Sequence, residues 1–174
     1  MNKSLSEQGF RMPAEWEKQR SVWIIWPYNK NDWPGLFKFI PKTVSEIVSI
    51  VSKTQTVNLI IKTKKDIKLI RKELKQGNYK KNNVKFHVIA SDRIWIRDSG
   101  PIFLRNTKNK KKIFLNFKFN GWAKYKNYKK DDKINTFISN STKIKKIDPK
   151  IKIKNKIKRI VLEGGSIDVN GKGS

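Results

Sequence analysis

Apolar and polar positions repeat with two different periods along this chain, and the change from one to the other outlines its elements. Residues 22–26 (VWIIW) form a short apolar run closed by Pro27, as expected of a buried strand that ends in a turn. Pro41 fits the first turn of a helix whose apolar face would be Val44, Ile47, Val48 and Val51, spaced i, i+3, i+4, i+7. Residues 56–62 are rich in β-formers, residues 65–76 repeat Ile67, Ile70 and Leu74 at helical spacing, and residues 84–89 are β-rich again. The succession predicts a βαβ unit in which Gly77 stops the helix.

After Ser91 and Asp92 the period becomes that of paired strands. Residues 101–104 and 112–117 flank a basic turn at 105–111, which predicts a hairpin, and a short helix is expected around 132–138. Alternating Lys and Ile over residues 140–158 predicts one strand with a single apolar face. Residues 159–163 are strand-like and Gly164-Gly165 breaks the run. Residues 166–169 then lead into Asn170-Gly171, the signal of a type I′ hairpin turn. Such a turn needs a returning strand, and the residues up to Ser174 are too few to make one. A truncated chain is therefore expected. With no internal repeat and no Gly-, Pro- or Ser-rich linker, residues 1–174 are read as part of one domain.

Composition narrows the class. The 174 residues are 37% hydrophobic and 11% aromatic, enough for a folded core. No apolar run approaches the roughly 20 residues that cross a bilayer, and the start MNKSLSEQGF has no apolar segment, so a cytoplasmic protein with no membrane partner is expected. Cysteine is absent, which excludes disulfides, thiolate metal sites and a thiol nucleophile from these residues. The formal charge of +27 suggests a basic nucleic-acid-binding module as an alternative function. Two counts weigh against it. The chain has 34 Lys, 23 Ile and 16 Asn but three Ala, the pattern of A- and T-rich codons, and Lys outnumbers Arg 34 to 7 although base-edge readout favours Arg. Diffuse charge is the better reading, and nucleic acid is disfavoured as a partner.

Candidate chemistry lies in two short segments. In Trp95-Ile96-Arg97-Asp98-Ser99-Gly100-Pro101 a carboxylate stands near an indole and beside a Gly-Pro turn. A planar carboxylate can take two parallel hydrogen bonds from a guanidinium, and an indole face attracts the same cation. Taken alone, Asp98 could equally cap a turn or pair with Arg97. In Leu162-Glu163-Gly164-Gly165 a second acid sits at a strand end, followed by two glycines that let another group come close. Glu163 could accept a guanidinium, carry a proton, or simply face solvent. His87, the only histidine, lies in an apolar strand pattern and is given a packing role. The carboxylates show no metal-ligand spacing and no phosphate-binding loop is present, so no metal and no cofactor are expected.

Four separated segments resemble the agmatine deiminase family, related to bacterial-type peptidylarginine deiminases. They are residues 11–17 (RMPAEWE), 26–29 with 32–35 (WPYN, DWPG), 95–101 (WIRDSGP) and 161–173 (VLEGGSIDVNGKG). A fifth, residues 117–122 (FKFNGW), is similar too. The resemblance implies an α/β fold, a pentein-type propeller of five ββαβ blades common to guanidino-modifying enzymes, of which this chain would supply the N-terminal part with the C-terminal half missing. It implies a reaction in which cysteine attacks the guanidinium carbon, ammonia leaves, and water releases a ureido product from the covalent thiouronium. On that pattern Asp98 would hold the guanidinium, Glu163 would orient it, and Trp95 would line the pocket. The small guanidino substrate would be agmatine, with peptidylarginine or free arginine as alternatives. The family's catalytic histidine, a nearby aspartate and the cysteine have no counterpart here, so the chain alone is expected to be inactive. Ala123-Lys124-Tyr125 also replaces a usual Gly-Gly pair, a departure at the pocket rim.

Overall fold

The computed structural model describes residues 3–172. In chain order the strands are β1 (Phe10–Arg11), β2 (Ser21–Ile25), β3 (Thr56–Ile61), β4 (Val84–Val88), β5 (Ile102–Asn106), β6 (Lys112–Leu115), β7 (Lys145–Ile147), β8 (Lys150–Ile153) and β9 (Lys156–Arg159). The α-helices are α1 (Ile40–Ser52), α2 (Asp66–Gln76), α3 (Ile96–Ser99) and α4 (Ile134–Thr142). They fall into two compact units, one spanning Lys18–Ile96 and the other combining the chain up to Glu17 with the chain from Arg97 onward.

In the Lys18–Ile96 unit, β2, β3 and β4 form a parallel sheet with β3 at its centre. Every residue of β3 from Val57 onward is buried, which explains why the strand reads as a continuous apolar run instead of an alternating one. Helices α1 and α2 are the crossovers, and their apolar residues meet the sheet in a core of Trp26, Val44, Val48, Val57, Leu59, Ile61, Ile70, Leu74 and Val84. The predicted βαβ unit is present. The buried stripe of α1 differs from the expectation in one respect: Ile47 is 47% exposed, and Ser45, Ser49 and Ser52 are buried beside Val44 and Val48. Ser49 and Ser52 have hydrogen-bond partners there. Ser49 Oγ donates to the carbonyl of Leu74 (3.4 Å), and Ser52 Oγ donates to Ser49 (2.9 Å) while accepting the amide of Lys80 (3.0 Å). Gly77 does end α2, but at an ordinary φ of −90°, and Asn78 takes the left-handed turn (φ 53°). Glycine suits position 77 because a Cβ there would lie 2.5 Å from Ser49 Oγ.

In the other unit the sheet order is β1-β5-β6-β7. Strands β5 and β6 form the predicted antiparallel hairpin, α4 returns the chain, and β7 pairs parallel with β6, which makes one ββαβ blade. Ile102, Leu104, Ile113, Phe114, Phe119, Ile134 and Ile138 are buried in this unit. Residues 140–158 are not one strand. They hold the end of α4, then β7, β8 and β9, with β8 and β9 as a separate antiparallel ribbon. The chain reverses at Lys143 (φ 59°) and Lys154 (φ 43°), and a run of Lys and Ile gives no sign that lysine will take the left-handed conformation favoured by Gly or Asn. Residues 159–163 also differ, since β9 ends at Arg159 and Val161 makes only an isolated parallel bridge to Lys118.

Candidate active site

The acid-bearing segments around Asp98 and Glu163 meet, although 65 positions separate them in sequence. Oδ1 of Asp98 accepts the amide hydrogen of Gly165 at 3.1 Å. Glu163 has an extended backbone (φ −95°, ψ 136°) and starts the 3-10 turn Gly164–Ser166, its carbonyl accepting from the amide (3.1 Å) and the hydroxyl (2.7 Å) of Ser166. Both acids are half-buried. The two glycines are required by this approach. A Cβ on Gly164 would lie under 3.0 Å from the backbone oxygen of Arg97, and one on Gly165 equally close to Asp98 Oδ1.

Arg97 does not pair with Asp98. Its Nε donates to the Gly164 carbonyl (3.0 Å), its Nη2 to the Ile167 carbonyl (3.4 Å), and its Nη1 to Glu15 Oε1 (2.5 Å). One planar fork therefore binds the chain on both sides of the Gly164–Ser166 turn and a carboxylate from the N-terminal segment. That segment is braced in turn. Arg11 holds Glu17 through two hydrogen bonds (2.5 and 2.8 Å), and the amide of Ala14 adds a third (3.0 Å). Arg11 first and the Ala14 amide second pull the Glu17 carboxyl down to about 2 from its ordinary 4.5. Gly171 (φ 75°) packs on this pair, where a Cβ would lie 2.7 Å from Glu17 Oε1 and 2.9 Å from the Ala14 nitrogen. Asn170 does not share the left-handed conformation, so the turn is not type I′, and its side chain instead accepts the Lys172 amide (2.7 Å). The strand expected to return from this turn would begin at Gly173 and Ser174, which lie outside the described residues.

Behind Asp98 a buried amide ladder fixes the next residue. Asn135 on α4 donates to the carbonyl of Ser99 (3.2 Å) and to Asn116 Oδ1 (2.8 Å), and Asn116 donates to Asp148 (2.7 Å). These bonds use the Asn135 amide nitrogen only, and its Oδ1 is buried without a partner among the described residues. At the departure from the family pattern, Gly121, Trp122 and Ala123 all adopt positive φ (66°, 58° and 56°). Ala123 thus sits in a conformation that glycine takes without strain.

Trp95 belongs to the Lys18–Ile96 unit. Its ring tilts against Trp33 with centroids 5.7 Å apart, and 42% of the residue stays exposed. The support beneath this pair was missed in the sequence. Arg93 and Asp32 form an ion pair whose side chains are only 7% and 0% exposed, and Asn29 bridges Asp32 Oδ1 (3.2 Å) and the carbonyl of Asp92 (3.3 Å). Burial pushes the Asp32 carboxyl upward while the Arg93 guanidinium opposes that shift. The signal lay in the DWPG segment, but charge at an apolar turn has no periodicity to reveal it. His87 lies on the sheet with its ring 4.8 Å from Trp23 and Nε2 3.0 Å from Asn58 Oδ1.

Among the described residues no donor reaches the second Asp98 oxygen or the Glu163 carboxylate, two acceptors suited to a flat multidentate cation. No thiol nucleophile accompanies them, because the chain has no cysteine. Among the described residues no group of His, Asp and Glu gathers as metal ligands, and no helix is long and apolar enough to cross a membrane.

Solved structures with the same fold define the class. An agmatine deiminase of Enterococcus faecalis superposes with a TM-score of 0.78 at 24% identity, covering 99% of this chain and 44% of that one. A cysteine-to-serine variant of the C. jejuni agmatine deiminase, solved with substrate bound, gives 0.73 at 30% identity, covering 94% and 44%. The fold is thus part of the pentein-type α/β propeller of guanidino-modifying enzymes. The sequence profile of the Porphyromonas-type peptidyl-arginine deiminases matches residues 11–174, and the chain belongs to that family. Its curated relatives include a Streptococcus mutans protein assigned as an agmatine deiminase, 30% identical over 175 residues with 99% of this chain and 45% of the relative covered. Another is the agmatine deiminase of Pseudomonas aeruginosa, 28% identical with 95% and 42% covered. The chain spans about 45% of the length of the curated relatives it matches.

Proposed function

We propose that this chain is the guanidinium-recognising part of an agmatine deiminase-like hydrolase, which converts agmatine and water to N-carbamoylputrescine and ammonia. The observation that carries the proposal is the hydrogen bond from the Gly165 amide to Asp98, which makes neighbours of two acid-bearing segments. Asp98 would take the guanidinium through its remaining acceptor capacity, and Glu163 would orient the same cation. Trp95, three positions before Asp98 along the chain, is assigned the aromatic wall on the family pattern. In the covalent route a thiolate adds to the guanidinium carbon, the C–N bond to one amino group breaks with a proton delivered to the departing ammonia, and water then displaces the sulfur to leave the ureido group. This chain supplies carboxylates for that sequence of steps and no thiol, so binding without turnover is expected of it.

Calorimetric titration with agmatine tests the assignment. Saturable binding should weaken in Asp98→Asn and in Glu163→Gln, by about tenfold each for loss of a charged acceptor. Competition by arginine and by a peptidylarginine would rank the alternative substrates. Equal agmatine affinity in the parent chain and in both variants would refute the site.

A further inference from the structure

We propose that Arg97 is a positioning residue for the two acids, and that Glu15 is the counter-ion that makes this role compatible with a cationic ligand. The proposal rests on the assignment of Asp98 and Glu163 given above and extends it to residues outside that assignment. Three observations carry it. Arg97 directly precedes Asp98, and its side chain grips Gly164 and Ile167, the residues just after Glu163 and just beyond the turn. The Gly164–Ser166 turn is pressed so closely on Arg97 and Asp98 that neither glycine can carry a Cβ without displacement, so the register between the acids depends on this contact. Glu15 meets the remaining face of the guanidinium at 2.5 Å.

The charge of Arg97 makes Glu15 necessary. An arginine beside two carboxylates is itself a flat cation and would compete for the acceptors a substrate guanidinium needs. Glu15 holds the Arg97 head group away from that position, and the two backbone carbonyls use its other donors. The carboxylates are thereby spaced by a cation that does not occupy them. Lysine could not replace it, because a single ammonium lacks the rigid fork that reaches two carbonyls and a carboxylate together. The ion pair is about half exposed on each side, 50% for Arg97 and 48% for Glu15, so it contributes little to global stability. A positioning role and a stabilising role therefore predict different results.

The test compares the parent chain with Arg97→Lys and Glu15→Gln by three readouts: thermal unfolding, agmatine affinity, and the NMR shift of the Gly165 amide as Asp98 titrates. The parent amide should follow the Asp98 carboxyl through their hydrogen bond. In Arg97→Lys that pH response should disappear and agmatine affinity should fall by about tenfold or more, with a modest fall in melting temperature that leaves the chain folded at the assay temperature, as expected when a supporting contact loosens a site. In Glu15→Gln the amide response should persist while agmatine affinity falls, since the freed Arg97 competes with the ligand. An unchanged Gly165 response and unchanged affinity in Arg97→Lys would overturn the proposal. So would losses in both variants that merely track a lowered melting temperature. If the parent binds no agmatine, the functional assignment fails, while the Gly165 response still decides whether Arg97 sets the register.

Discussion

Replacing Gly164 by alanine places a methyl group where the structure has no room for one. Gly164 is buried, its φ is not in the left-handed region, and an added Cβ would lie under 3.0 Å from the backbone oxygen of Arg97. The clash is therefore purely steric and is directed at a backbone atom that cannot rotate away. Relief requires the turn to retreat by roughly 1 Å, because the surrounding packing is dense. That movement stretches two hydrogen bonds past their working range, Arg97 Nε to the Gly164 carbonyl at 3.0 Å and the Gly165 amide to Asp98 at 3.1 Å. Each involves a charged group, for which about 1.5–3 kcal/mol is usual when buried. Both lie in half-exposed surroundings, so about 1 kcal/mol each, or about 2 kcal/mol in total, is the expected loss. Urea unfolding of Gly164→Ala measures it, with the Gly165 amide shift reporting the local break. Gly35→Ala is the control, since Gly35 has φ 75° and nothing within 4 Å, so only the left-handed penalty of about 1 kcal/mol applies. A Gly164→Ala chain with the parent's urea midpoint and a Gly165 amide still coupled to Asp98 would refute the reasoning.

Other consequences are equally direct. Gly77→Ala should destabilise the Lys18–Ile96 unit by about 1–3 kcal/mol through overpacking on Ser49, and Ser49→Gly in the same chain should recover part of that loss in a double-mutant cycle. Ala123→Gly should raise stability by about 0.5 kcal/mol, the relief of a left-handed alanine less the added freedom of the unfolded chain, read as a higher urea midpoint. Glu17 should titrate at about 2, and should rise toward the ordinary 4.5 once Arg11 is changed to alanine, the Ala14 amide still holding it below that value. Its folded value is depressed, so its stabilising effect is complete above 4.5 and is lost as pH falls toward 2, which carboxyl NMR can follow. Burial, with Lys85 as a second cause, holds the His87 pKa below 6.5. The neutral ring is thus the folded form, stability declines as pH drops below 6.5, and His87→Gln should flatten that decline in acid unfolding curves.

Much of the framework was legible from residue order alone. The parallel β2-β3-β4 sheet with its two crossover helices follows from apolar spacing, because burial of one helix face or of a whole strand leaves a period that each residue reports independently. The β5–β6 hairpin was legible for the same reason. Where the chain turns on lysine, at 143 and 154, the pattern was silent, and one predicted strand became a helix end and three short strands. Ile47 and the three buried serines of α1 show a second limit: which rows of a helix face inward depends on what approaches it, here the end of α2 and Gly77.

The sequence by itself placed Asp98 and Glu163 at element ends, each beside glycines, and showed that no cysteine accompanies them. Only the tertiary structure decided that the two segments touch, and that Arg97 binds Glu15, Gly164 and Ile167 instead of its neighbour Asp98. It likewise revealed the buried Asp32–Arg93 pair beneath the two tryptophans. The physical reason is common to all of these contacts. They join charges or backbone groups tens of residues apart, and a hydrogen bond of that kind leaves no period in the chain, whereas apolar burial does.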